Sequence, residues 1–144
     1  MALKVELKPR ERILIGECVI TNGDQRARFV VDGQVPILRE KDILTPEQAN
    51  TPAKRIYLAV LLMYTSRTPR DHHTTYFTLV RDIIQAAPST QAQIEIINNH
   101  ILTGDLYKAL KQAKQLITYE QELIRNDASR TSLRKSGEPG FQSA

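Results

Sequence analysis

The chain has one cysteine, Cys18, and no tryptophan. A lone thiol cannot close a disulfide within the chain, and it gives no metal-ligating pair and no sign of an oxidising compartment. No apolar run approaches the roughly 20 residues that a bilayer requires. The opening MALKVELK also lacks the long apolar core of a secretory signal. The sequence therefore reads as cytoplasmic, with no membrane partner. Its six glycines never gather into a phosphate-cradling loop. Of its three histidines, His72 and His73 are adjacent and would diverge by roughly 100° on a helix. His100 lies in a different apolar-periodic segment. HExxH and calcium-loop spacings are missing, and the carboxylates are interleaved with Lys and Arg as on a solvated face. These absences argue against an enzyme and against a bound metal or other cofactor.

What is present is ordinary globular composition. Apolar residues make up 41% and charged residues 25% of 144 residues, enough for one real core. Lys and Arg number 20 against 16 Asp and Glu, a net charge of +4. That mild excess favours approach to a polyanion without specifying one.

The pattern along the chain predicts an α+β protein: a small, mostly antiparallel N-terminal β-sheet, then a C-terminal helical bundle built of hairpins, then a disordered tail. The β unit spans 1–44. Leu3, Val5 and Leu7 alternate with Lys4, Glu6 and Lys8, the period of a half-buried strand. Glu11–Thr21 carries apolar groups on both faces, which suits a deep strand or a bulge at Gly16. Asn22-Gly23 predicts a hairpin turn, with the return strand over Gln25–Val31. There Ala27, Phe29 and Val31 oppose Arg26 and Arg28. Pro36 cannot donate to a ladder, so the strand that follows belongs at an edge.

The helical unit spans 45–126. Thr45-Pro46-Glu47-Gln48, Thr51-Pro52 and Thr68-Pro69 are helix starts, and Thr90 with Gln93 predicts another capping box. Gly104 suits a left-handed helix stop, with Asp105 capping the next helix. Leu106, Leu110, Ala113, Ile117 and Ile124 mark the last apolar stripe. Lys108, Lys111 and Lys114 lie on its polar side. Residues 127–144 are small, polar and broken by Gly and Pro, which predicts the tail.

Strand alternation places Lys4 and Lys8 on one solvent face and Arg26 and Arg28 on another. If the two strands are neighbours, the four cations share one face, and Arg39 and Lys41 extend it. Such a face seats RNA phosphates, and its arginines can stack on unpaired bases. Opposing this, the first 44 residues hold eight basic and seven acidic groups, so a salt-bridged, neutral surface fits the same composition. Phe29 is the only aromatic there and faces inward, unlike the stacking aromatics of an RNA-recognition motif.

The blocks LKPRERILI, NGDQRA, PILREKDILT and ANTPAKRIY, with GDLYKALK further on, resemble the FlbT family of alphaproteobacterial flagellar regulators over roughly residues 2–125. The resemblance implies a post-transcriptional role: binding the 5′ untranslated leader of flagellin mRNA and altering its stability or translation during flagellum assembly. The alternative is a protein-interaction module, holding flagellin or a flagellin-associated protein and acting on mRNA indirectly. ERILIG, QRARF and ILREKDI also look like the strand pattern of the carbon storage regulator family, a likeness that singles out Arg39 for RNA contact. The sequence leaves open the RNA motif, the sign of regulation and the oligomeric state.

Overall fold

The computed structural model describes residues 2–137, and the side chains of residues 2–127. Five strands come first: β1 (Ala2–Leu7), β2 (Arg12–Ile15), β3 (Cys18–Thr21), β4 (Ala27–Asp32) and β5 (Ile37–Arg39). Four helices follow: α1 (Pro52–Thr65), α2 (His73–Ala86), α3 (Gln91–Leu102) and α4 (Leu106–Gly137). The strands form two small antiparallel sheets, β1–β4 and β3–β2–β5, where the sequence suggests one. Residues 138–144, the end of the expected tail, lie outside the described residues. The backbone of α4 runs on past Asn126, where the sequence pattern places the end of the helical unit.

The hairpin turn is not where the Asn-Gly pair predicts it. Ile15 pairs with Cys18, so Gly16-Glu17 is the turn, and Gly16 has φ +65°. Glycine at the first central position with positive φ matches a tight hairpin turn of the primed kind. With that turn made, β4 pairs with β1 instead of β3, Leu7 opposite Ala27 and Ala2 opposite Asp32. Asn22 becomes a loop clamp. Its amide nitrogen donates to the Lys8 carbonyl at 2.8 Å and the Gln25 carbonyl at 2.9 Å, and its oxygen accepts the Gly23 N–H at 2.8 Å.

The apolar groups on both faces of the second run have a simple cause. β2 is the middle strand of a sheet covered on both sides. Ile13 faces a small core with Val5 and Leu7, against which Phe29, Val31 and Ile37 pack. Leu14 and, from β5, Leu38 turn the other way into the helical core. Pro36 precedes an edge strand, since β5 pairs only with β2.

Helix α1 starts where the sequence says it does. Pro52 occupies the first turn, and the Thr51 hydroxyl accepts the Lys54 N–H at 3.2 Å. Its buried face, including Ala53, Ile56, Val60 and Met63, packs against Ala109, Leu110, Ala113 and Leu116 of α4. Alanines on both sides let the two backbones approach closely. Gly104 has φ +79° and ends α3 as expected. Two other start signals differ in outcome: one yields only a 3-10 turn, while α3 does begin just after Thr90 but without the expected capping box. Thr45–Gln48 makes its capping box around a single 3-10 turn, Pro46–Gln48. Thr90 is fully buried and its hydroxyl donates to the Ala87 carbonyl at 2.7 Å, so it caps nothing. The same carbonyl also accepts the Thr90 N–H at 3.0 Å, so the buried hydroxyl is satisfied locally by backbone instead of capping α3.

Candidate nucleic-acid interface

Strands β1 and β4 are neighbours, so the condition for a shared cationic face is met. Val5 and Leu7 are buried and Phe29 and Val31 half-buried, which leaves Lys4, Glu6 and Arg28 on the outer side. Arg26, just before β4, reaches the same place. Glu6 stands between the two arginines: Arg28 Nε lies 2.8 Å from one of its oxygens and Arg26 Nη1 lies 3.3 Å from the other. All three are well exposed, so these pairs contribute at most about 1 kcal/mol each and yield readily to a competing anion. The composition's warning of a partly neutralised face holds at this point.

The remaining three predicted residues divide. Lys8 follows β1, and its backbone is engaged by Glu11 and Asn22. Arg39 is a clasp between the sheets: one guanidinium nitrogen donates to the Glu6 carbonyl at 2.9 Å and lies 3.5 Å from the Glu11 carboxylate. Glu11 also accepts the Lys8 N–H at 2.9 Å. That backbone bond holds the Glu11 carboxyl below the usual carboxylate range; partial burial pulls the other way, and the Arg39 charge adds to the lowering. Lys41 sits on the 3-10 turn Glu40–Asp42, away from the outer face of β1 and β4.

Lys41 opens instead onto a cleft of about 560 Å³ between the strands and α4. Lys4, Arg39 and Lys41 line it from the N-terminal side, and Tyr64, Tyr107 and Lys111 line it from the helices. A second hollow of about 350 Å³ continues along α4 past Lys114, sharing Lys41, Asp42, Tyr107 and Lys111 with the first. Asp42 is the only carboxylate lining either hollow among the described residues, and Lys114 already pairs with it. The turn bearing Lys41 is also pinned by Tyr57, whose hydroxyl donates to the Asp42 carbonyl at 2.5 Å. Burial first, then the neighbouring Asp42 and Tyr107, pushes the Tyr57 hydroxyl far above its ordinary pKa, so it remains a donor.

Tyr107 is the exposed aromatic of this cleft, at 42%. Lys111 Nζ rests 5.2 Å from its ring centroid, a contact of about 0.5–1 kcal/mol at such a site. Tyr64 flanks it at 5.7 Å, and its own hydroxyl is anchored on the Ile37 backbone at 3.2 Å from the nitrogen and 3.3 Å from the oxygen. The sequence pattern marked Lys111 as one of a lysine stripe but missed both tyrosines. The spacing of Tyr107 and Lys111, one helical turn apart, was the available signal. Lys108 turns back to Asp105 at 3.4 Å and takes no part.

No helix among the described residues is long and apolar enough to cross a membrane. No group of three or more metal-binding side chains occurs among them. The arrangement holds a strip of cations beside an aromatic ring.

The family profile described as flagellar protein FlbT matches residues 3–124. A probable flagellum biosynthesis repressor protein FlbT 1 of Bradyrhizobium diazoefficiens is 67% identical over 85% of this chain and 85% of its own length. The probable flagellum biosynthesis repressor protein FlbT of Rhodopseudomonas palustris is 53% identical over 86% of this chain and 98% of its own. The flagellum biosynthesis repressor protein FlbT of Caulobacter vibrioides is 33% identical over 92% and 96%. No solved structure matches the chain. With a family profile matched over residues 3–124 and relatives this similar along most of their length, the chain belongs to the FlbT family of flagellar proteins.

Proposed function

We propose that the protein is a cytoplasmic repressor of flagellum biosynthesis that binds the 5′ untranslated leader of flagellin mRNA and alters its stability or translation. The names of the relatives support the first half. The observation that carries the second is the convergence of Lys4, Arg39, Lys41 and Lys111 on one cleft whose single lining carboxylate is already paired. The strand face of Arg26 and Arg28 adjoins it through Lys4, which lines both the cleft and a shallow hollow beside Arg28. A single strand laid from that face into the cleft meets cations along its path. Regulation follows from covering or exposing the leader to ribosomes and nucleases, with no chemistry by the protein.

The test is to replace Arg26, Arg28 and Lys41 together with Ser and to measure leader binding and flagellin binding separately. Arg39 is left in place because its loss would loosen both sheets. The expected result is leader affinity reduced at least tenfold, with a wild-type affinity that falls with salt at a slope of roughly −0.7 per phosphate contact. Leader binding that ignores salt and survives the triple change, with flagellin binding lost, would point to the protein-interaction alternative.

A further inference from the structure

Phosphate contacts alone do not explain why the cleft presents an aromatic ring. Tyr107 lines the cleft at 42% exposure, with the ammonium of Lys111 over its ring at 5.2 Å from the centroid. The ring also packs against a second, anchored ring. Tyr64 braces it at 5.7 Å, and the hydroxyl of Tyr64 is fixed to the Ile37 backbone. A rigid ring face, a displaceable cation and a polyanion track are the parts by which proteins take up single-stranded nucleic acid. A stacked base is worth more than an exposed cation–π contact, so a base displaces the Lys111 ammonium from the ring and leaves it to meet a phosphate. The volume of about 560 Å³ lies in the usual range for pockets that hold small molecules.

We propose that Tyr107 is a stacking platform for one unpaired base of a bound RNA strand, with Lys111 and Lys41 holding the flanking phosphates. This rests on the RNA-binding reading above and adds that the bound segment is single-stranded. A paired base is stacked on both faces by its neighbours and cannot reach the ring.

The absence of tryptophan from the chain makes the test direct. Tyr107→Trp introduces a single indole, which is titrated with octauridylate, with uridine monophosphate and with inorganic polyphosphate of matched charge. Octauridylate is expected to quench the indole emission. Polyphosphate is expected to bind without quenching it, and the monophosphate to act only at far higher concentration. In the otherwise native chain, Tyr107→Ser weakens octauridylate binding about 5- to 150-fold, and Tyr107→Phe weakens it less. A control on the same helix, Tyr119→Phe, lies outside the cleft and leaves affinity unchanged. Thermal melts confirm that each variant folds. Binding of octauridylate without quenching, or equal loss with Phe and Ser, overturns the platform and leaves RNA binding standing. Equal quenching by polyphosphate would make the cleft an anion site only, and a monophosphate as effective as the octamer would make the ligand a free nucleotide. If neither octauridylate nor leader RNA binds the native chain, both readings fall together.

Discussion

Glu120 of α4 caps the first turn of α1: its carboxylate accepts the Ala53 N–H at 2.9 Å across 67 residues of sequence. This bond completes the accounting for the N–H donors that the helix itself cannot satisfy at that start. Pro52 has no N–H, the Thr51 side chain takes that of Lys54, and the Thr51 carbonyl takes that of Arg55. Only Ala53 needed a partner from elsewhere. The helix dipole makes a negative group favourable there, which is how a carboxylate at 8% exposure is tolerated in an apolar setting.

Glu120→Ala leaves the Ala53 N–H buried and unpaired, so it is expected to cost about 2–3 kcal/mol. Glu120→Gln keeps an acceptor and should cost about 1 kcal/mol. Urea denaturation of the two variants measures the difference. A Glu120→Ala protein within about 0.5 kcal/mol of wild type, the size of an ordinary surface change, would show that the cap contributes nothing.

Glu6→Gln removes the counter-charge shared by Arg26 and Arg28. Both pairs are exposed and worth at most about 1 kcal/mol each, so stability should fall by no more than about 2 kcal/mol. Leader affinity should instead rise several-fold at low salt, with a steeper salt dependence, as the released arginines reach phosphates. A filter-binding series across salt concentrations reads both effects, and unchanged affinity would place the RNA elsewhere than on the strand face.

Two of the three glycines of the β unit should respond oppositely. Gly16 holds φ +65° in the β2–β3 turn, whereas Gly23 has open space around it and no positive φ. Gly16→Ala is expected to cost about 1–2 kcal/mol from the left-handed backbone alone, since its nearest neighbour, Val35 Cβ at 3.9 Å, is at ordinary contact distance. Gly23→Ala should be neutral or slightly stabilising. Equal destabilisation in thermal melts would contradict the observed turn and restore the Asn-Gly hairpin.

Glu11 gives the acid limb of stability a specific contributor. Its folded-state carboxyl is held below the usual range, chiefly by the Lys8 N–H. The stability this provides is fully present above the ordinary glutamate range and is lost as pH falls through the lowered pKa. Glu11→Gln should therefore lose less stability than wild type on acidification from neutral pH. Parallel urea curves at several pH values would refute this.

Much of the molecule was legible locally. Alternation in β1 and β4 set their inner and outer residues, Thr51-Pro52 set the start of α1, and Gly104 set the end of α3. Periodicity and backbone preference act over a few residues, so the sequence by itself determines the elements, their buried faces and the cationic character of the outer strands. Pairing is another matter. The sequence pattern puts the turn at Asn22-Gly23 and reads Gly16 as a bulge, whereas the turn at Gly16 goes with packing of Ile13 against Val5 and of Leu14 against the helices. Loop closure discriminates weakly between such choices, while burial of one strand face against another discriminates strongly. For the same reason tertiary structure alone decided that Glu6 stands between two arginines, that Glu120 reaches Ala53, and that Lys41 shares a cleft with Tyr107 and Lys111. Each meeting joins residues far apart in the chain, and no local preference encodes such a distance.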